Sequence, residues 1–348
     1  MTNKAYKFLL GIFLGLVLTA CTTSSGQKSE LPDLGTIKIG YVPNAGATSA
    51  LYIAVDKGYF EEEGLNVELE RFNSGSKMIA PLGAGQLDVG AGEVGPAMFN
   101  AIHQGLDIKV VCSYAGQTKG FVGAPVVVRK DLFESGEITE PEDLAGRKIG
   151  VNVLRGMAEY RIAKVMEEGG LSVDDAELVT LPFPDMPAAF ANKALDAGTM
   201  PGSHADRAIN DGSAVVFRRG DEIAGDIQTA VMYFGKRFLD PANKEIAVKY
   251  LEVFLNALRE YKEDPDYSNE ENLAIISKYT NLPPDVIKKL ERSYNDANCR
   301  FFKASMEDAQ NYYISRGYTE YSEPIPLSDI IDESFAEEVL SRIGEYQE

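Results

Sequence analysis

The sequence predicts an α/β protein in two lobes, each a mostly parallel sheet flanked by helices. Three observations carry that prediction. Strand-like and helix-like stretches alternate along most of the chain, as crossover connections between parallel strands require. One set of short motifs recurs in the same order about 105–110 residues later, the mark of two related units. Glycine-rich passages surround the junctions, where a chain crossing between lobes would bend.

The first unit opens with residues 37–42, a strand by their β-branched content. Residues 49–60 read as a helix closed by Gly64, and 67–72 alternate like a second strand. A helix over 77–84 leads into the short buried strand Leu87-Asp88-Val89-Gly90. Pro96 suits the first turn of a helix over 96–104. Lys38-Ile39-Gly40 then returns as Lys148-Ile149-Gly150, and Glu62-Glu63-Gly64 as Glu167-Glu168-Gly169. Leu87-Asp88-Val89-Gly90 returns as Leu195-Asp196-Ala197-Gly198. Each match alone is noise, but three in order, each in the same expected element, indicate related topology.

Residues 110–123 end the first unit, and 125–130 form a strand entering the second, with Gly116, Gly120 and Gly123 around the passage. Residues 229–236 are a further strand and the candidate return. The remainder, 243–348, is mostly helical, with apolar residues at helical spacing over 244–261. The expected organisation is therefore 36–115 with 229–348 as lobe 1, 122–224 as lobe 2, and 116–121 with 225–228 as the hinge. Two lobes joined by two strands leave a cleft that hinge motion can close.

Residues 1–20 read as a secretory signal peptide: Lys4 and Lys7, an apolar run over 8–18, then small residues ending at Cys21. Leu18-Thr19-Ala20-Cys21 resembles a bacterial lipobox, which implies lipidation at Cys21 and an extracytoplasmic protein tethered to the membrane by acyl chains. The apolar run is too short to cross a hydrocarbon core of about 30 Å. Residues 21–35 read as a flexible tether. The net charge of −19 argues against nucleic acid as a partner. An oxidising compartment would allow Cys112 and Cys299 to pair, but two free thiols are the expected state, with Cys299 in a helix.

In parallel sheets, ligands bind beyond the carboxyl ends of the strands, where loops lead into helix N-termini. The loops so placed supply the candidate ligand-binding residues. They are Asn44 and Thr48, then Ser74, Gly75 and Ser76, then Glu93; Gln117 lies at the crossover. Lobe 2 offers Asn152 and Arg155, Phe183 and Asp185, and Met200. Thr48, Ser76, Asp185 and Ser203 are candidate helix caps. Arg155 suits a sulfonate or carboxylate, bound bidentately. Glu93 and Asp185 suit an amine or a ring N–H, and Phe183 suits stacking. Only His103 and His204 occur, neither with a nucleophile partner, and no zinc spacing or phosphate loop is found. No catalytic residue, metal or cofactor is expected.

Tyr52-Ile53-Ala54-Val55-Asp56-Lys57-Gly58-Tyr59-Phe60, continuing to Gly64-Leu65-Asn66-Val67, is similar to a stretch of periplasmic solute receptors. These serve ABC importers for nitrate, sulfonates, taurine and thiamine-pyrimidine precursors. Gly85-Gln86-Leu87-Asp88-Val89-Gly90, Asp143-Leu144-Ala145-Gly146-Arg147-Lys148-Ile149-Gly150 and Ala194-Leu195-Asp196-Ala197 match too. The resemblance covers about 36–236. It implies the type II periplasmic-binding-protein fold, closing on a solute and docking on permease subunits with a separate ATPase. It carries over the loops 44–48, 74–76 and 92–96. Met200-Pro201-Gly202-Ser203, Arg155 and Glu93 depart from simple oxyanion receptors, which puts nitrate in doubt. A sulfonate or taurine-like solute would lean on Arg155, and a heteroaromatic vitamin precursor on Glu93, Asp185 and aromatics. An enzyme of the thiamine-pyrimidine-synthase type and a ligand-sensing lipoprotein remain alternatives.

Overall fold

The computed structural model describes residues 34–347 except 122 and 291. The expected leader, Cys21 and nearly all of the tether lie outside the described residues. Among the described residues, ten strands form two five-stranded sheets. The first sheet contains β1 (Ile37–Tyr41), β2 (Val67–Arg71), β3 (Val89–Glu93), β4 (Ile108–Gln117) and β10 (Ile227–Gly235). The second contains β5 (Val126–Arg129), β6 (Lys148–Val151), β7 (Glu177–Thr180), β8 (Ala197–Thr199) and β9 (Ala214–Arg218). Their orders are β2-β1-β3-β10-β4 and β7-β6-β8-β5-β9.

Each sheet has one strand running against the rest. In the first sheet it is β10, antiparallel to both β3 and β4; in the second it is β5, antiparallel to both β8 and β9. Both are strands that have just crossed from the other sheet. The chain leaves through β4 and enters as β5, then leaves through β9 and returns as β10. The two-lobe α/β architecture expected from the alternation is therefore present, with mixed rather than wholly parallel sheets.

The repeated motifs have one physical meaning in both lobes. The Asp88 carboxylate accepts from Lys38 N at 2.9 Å and from Arg237 Nε at 2.6 Å. Asp196 accepts from Lys148 N at 3.0 Å and from Arg129 Nη1 at 2.9 Å. In each lobe an aspartate thus joins the first strand to an arginine just after, or at the end of, the crossing strand. Leu87 and Leu195 fill the space that Gly40 and Gly150 leave open. A Cβ on Gly40 would lie 2.9 Å from Leu87 Cδ1, and one on Gly150 2.6 Å from Leu195 Cδ1.

The longer helices are α1 (Ser49–Asp56), α2 (Pro96–His103), α3 (Met157–Glu168), α4 (Gly202–Asn210), α5 (Lys244–Lys262), α6 (Glu270–Thr280), α7 (Lys303–Ser315) and α8 (Ser334–Ile343). α5 buries Tyr250, Leu251, Phe254 and Leu258 and packs on α1 and α8, so the helical tail covers the first lobe. None of the described helices is long and apolar enough to cross a membrane.

The tail also corrects the expectation of free thiols. Cys112 on β4 and Cys299 are disulfide-bonded, with Cα atoms 4.6 Å apart across a sequence separation of 187 residues. Cys299 lies in a turn at φ 59° rather than in a helix. The pairing depends on the tail folding back on β4, which no local pattern encodes.

Candidate functional site

A cavity of about 460 Å³ lies where the loops of both sheets converge. From the first lobe it is lined by Pro43, Asn44 and Gly46 after β1, by Glu93 at the end of β3, and by Thr229 and Ala230 of β10. From the second come Asn152 after β6, Met157, Ala158 and Arg161 of α3, Phe183, and 199–204 running into α4. Thr280, Leu282, Leu290 and Ser293 of the tail close one side.

Of the expected residues, Asn44, Glu93, Asn152, Phe183 and Met200 reach this cavity. Asn44 also builds the loop it sits in, because its Oδ1 accepts from the amides of Gly46 and Ala47 at 2.5 and 3.0 Å. Phe183 and His204 stack with ring centroids 6.3 Å apart, giving one wall a flat, apolar face.

The others do not line it. Thr48 is buried and donates to Val42 O at 3.1 Å, so it holds the loop from behind. Gly75 packs against the backbone of Gly92, where a Cβ would lie 2.3 Å from Gly92 Cα. The Ser74 and Ser76 hydroxyls bond each other at 2.8 Å in an exposed turn. Gln117 is buried and donates to Gly220 O. Arg155 sits at φ 62° with its guanidinium 5.0 Å from the Tyr318 ring, turned toward the tail. Asp185 is exposed and makes no capping hydrogen bond. Thr48 makes none either, and Pro201 occupies the cap position expected near Ser203.

The arginine that does reach the cavity is Arg161, one turn into α3. Helical spacing places it on the same face as Met157 and Ala158 (i, i+1, i+4), and that spacing was the signal in the sequence that could have found it. Its Nε is buried with no hydrogen-bond partner among the described residues. Burial pulls its pKa down, opposed by the charge of Glu93. Glu93 is open to the cavity yet enclosed by protein, and burial raises its pKa. Arg161 and the amide of Met157, at the start of α3, pull the other way. Thr199 Oγ1 is likewise buried without a partner. Burial and Arg207 hold His204 below the usual imidazole range, so it presents a neutral ring near pH 7.

The cavity thus offers one carboxylate from the first lobe, one guanidinium from the second, several uncharged polar groups and an apolar wall. Such a set suits a small organic solute with a donor or cationic end and an acceptor or anionic end. A lone small anion would meet Glu93 as a repulsive charge.

The NMT1/THI5-like family model matches residues 46–268, most of both lobes. The chain belongs to the NMT1/THI5-like family. Among its relatives, a protein of Brucella abortus named as a binding protein is 31% identical over 168 residues. That match covers 48% of either chain, so this chain spans about half the length of that relative. The 4-amino-5-hydroxymethyl-2-methylpyrimidine phosphate synthase of Aspergillus parasiticus is 23% identical over 289 residues, 79% of each chain. In fold, the NMT1/THI5-like chain is similar to the periplasmic aliphatic sulphonate binding protein SsuA of Escherichia coli. The TM-score is 0.69 at 17% identity, over 85% of this chain and 92% of that one.

Proposed function

We propose that this protein is the solute-binding receptor of an ABC importer, and that its solute bridges Glu93 and Arg161. The single observation that carries this is their placement. One charge comes from each lobe into one cavity, and the buried Arg161 Nε has no partner among the described residues. A solute that joins them links the lobes and shifts the hinge equilibrium toward closure. Residues 36–115 with 229–348, and 122–224, are the two bodies that would close, about 116–121 and 225–228.

Within this reading the solute is a zwitterion of the taurine type or a heteroaromatic vitamin precursor. A sulfonate would accept from Arg161, replacing the role expected of Arg155, while the ammonium group meets Glu93. A ring would lie against Phe183 and His204 with an exocyclic amine on Glu93. The named binding function of the Brucella relative and the fold of SsuA support a receptor. Lipidation at Cys21 would hold it outside the cytoplasm beside a permease driven by a separate ATPase.

The synthase reading rests on the Aspergillus relative, while the His204 ring lies stacked on Phe183 as part of the cavity wall. Thermal-shift titration with taurine, longer aliphatic sulfonates and aminopyrimidines tests the receptor reading. A saturable upward shift with one class, and recovery of that compound unchanged, is expected; turnover of the compound would favour the enzyme.

A further inference from the structure

The face of α3 turned away from the cavity is fastened to the tail. α7 leaves the crossover strands, where Ser305 Oγ accepts from Gln228 N at 2.8 Å. It then runs along the first lobe, where Tyr313 donates to Val94 O at 3.2 Å and Tyr318 O accepts from Asn100 Nδ2 at 3.1 Å. Asp308, Tyr312 and the C-cap residue Arg316 recur every fourth residue, so they form one stripe along α7 and its end. That stripe meets the second lobe at α3 and at Asp174 beyond it. Asp308 accepts from Tyr160 at 2.5 Å and pairs with Lys164 at 2.8 Å. Tyr312 donates to Glu159 at 3.0 Å, and Arg316 pairs with Asp174. Tyr318, just beyond α7, donates to Glu159 at 2.7 Å while Arg155 lies over its ring.

Glu159 is the key of this zipper. It is 1% exposed, and one oxygen accepts both tyrosine hydroxyls. The other accepts from the amide of Arg155 at 2.7 Å, holding the left-handed turn of the loop that carries Asn152 into the cavity. The outer pairs Lys164–Asp308 and Arg316–Asp174 are solvent-exposed on the acidic side, so they contribute little next to a buried carboxylate with three donors.

We infer that α3 and α7 form a closure latch, with Glu159 as a positioning residue that couples the cleft loop to the opposing lobe. The latch rests on the receptor reading only in that closure serves solute capture. Engaged, it favours the closed arrangement before any solute arrives, which raises apparent affinity by removing part of the closing cost. Released, it leaves the cavity residues in place but the lobes free to part.

The test is single-molecule fluorescence transfer between dyes on the two lobes of the solute-free protein. Tyr312→Phe/Tyr318→Phe removes only the two hydroxyls, and the ratio of closed to open molecules is expected to fall about tenfold. Lys278→Ala, which breaks the exposed Lys278–Asp56 pair inside the first lobe, should leave the ratio unchanged. Glu159→Gln is the second variant, expected to lower the ratio at unaltered helical circular dichroism. An unchanged ratio in both folded variants overturns the latch. Adding taurine as a probe separates the two readings. A shifted ratio with no taurine response would remove taurine as the solute and leave the latch standing.

Discussion

Glu93 of β3 and Arg161 of α3 line one cavity from different lobes, each perturbed by the other's charge, with no ion pair between them among the described residues. Groups arranged so are costly in the empty protein and useful in the loaded one. Arg161→Met should therefore abolish binding of an anionic or zwitterionic solute, a loss of at least 100-fold in Kd by calorimetry. The same variant should be more stable without solute than the native chain, by a few degrees in Tm. A drop in Tm would mean that Arg161 is already paired in the empty protein.

The pH response of Glu93 has an unusual sign. Burial raises its pKa, so the folded state holds its proton to higher pH than the unfolded state does. Stability contributed at this site is therefore lost as pH rises through the ordinary carboxylate range and the elevated folded value. Glu93→Gln should be more stable than the native protein at pH 7, and the gap should close in acid. Chemical denaturation of both proteins across pH 4–8 checks this. A gap independent of pH would show that burial does not govern this carboxyl.

Close packing at three glycines orders a set of substitutions. In Gly150→Ala the new methyl meets the movable end of Leu195, and in Gly40→Ala the end of Leu87, so each should cost about 1–3 kcal/mol. Gly75→Ala meets the backbone of Gly92, which cannot swing aside, and should cost more than either. Urea denaturation of the three variants gives the order directly. Gly150→Ala combined with Leu195→Ala should recover part of the overpacking cost.

The Cys112–Cys299 bond closes a long loop and ties the tail to β4. In the chain-entropy account a loop of this length adds up to about 5 kcal/mol. Cys112→Ser/Cys299→Ser should therefore lower Tm and should loosen the tail first, seen as faster hydrogen exchange around residue 299. Equal exchange there in both proteins would mean that packing alone holds the tail.

Much of the scaffold was legible because its chemistry is local. Lys38-Ile39-Gly40 with Leu87-Asp88, and their copies at 148–150 and 195–196, mark a glycine that a leucine fills and an aspartate that joins strands. Strand-end loops brought five of the candidate residues to the cavity, Glu93 and Asn152 among them. The rest depended on three-dimensional packing. Gly75 serves the backbone of Gly92 rather than a ligand, and Arg155 is drawn to Tyr318 by a tail 163 positions away in sequence. Arg161 was overlooked because it lies inside a helix, not in the loop before it. A helical projection of 157–168 sets it beside the apolar positions Met157, Ala158 and Val165.

The central claim is that one small solute spans Glu93 and Arg161. Native mass spectrometry of the gently purified protein, followed by release and identification of whatever it carries, tests this most directly. The predicted result is a compound with both a cationic or N–H donor end and an anionic or acceptor end, carried by the native chain and absent from Arg161→Met and Glu93→Gln. A compound retained equally by both variants, or a bare inorganic anion in its place, would contradict it.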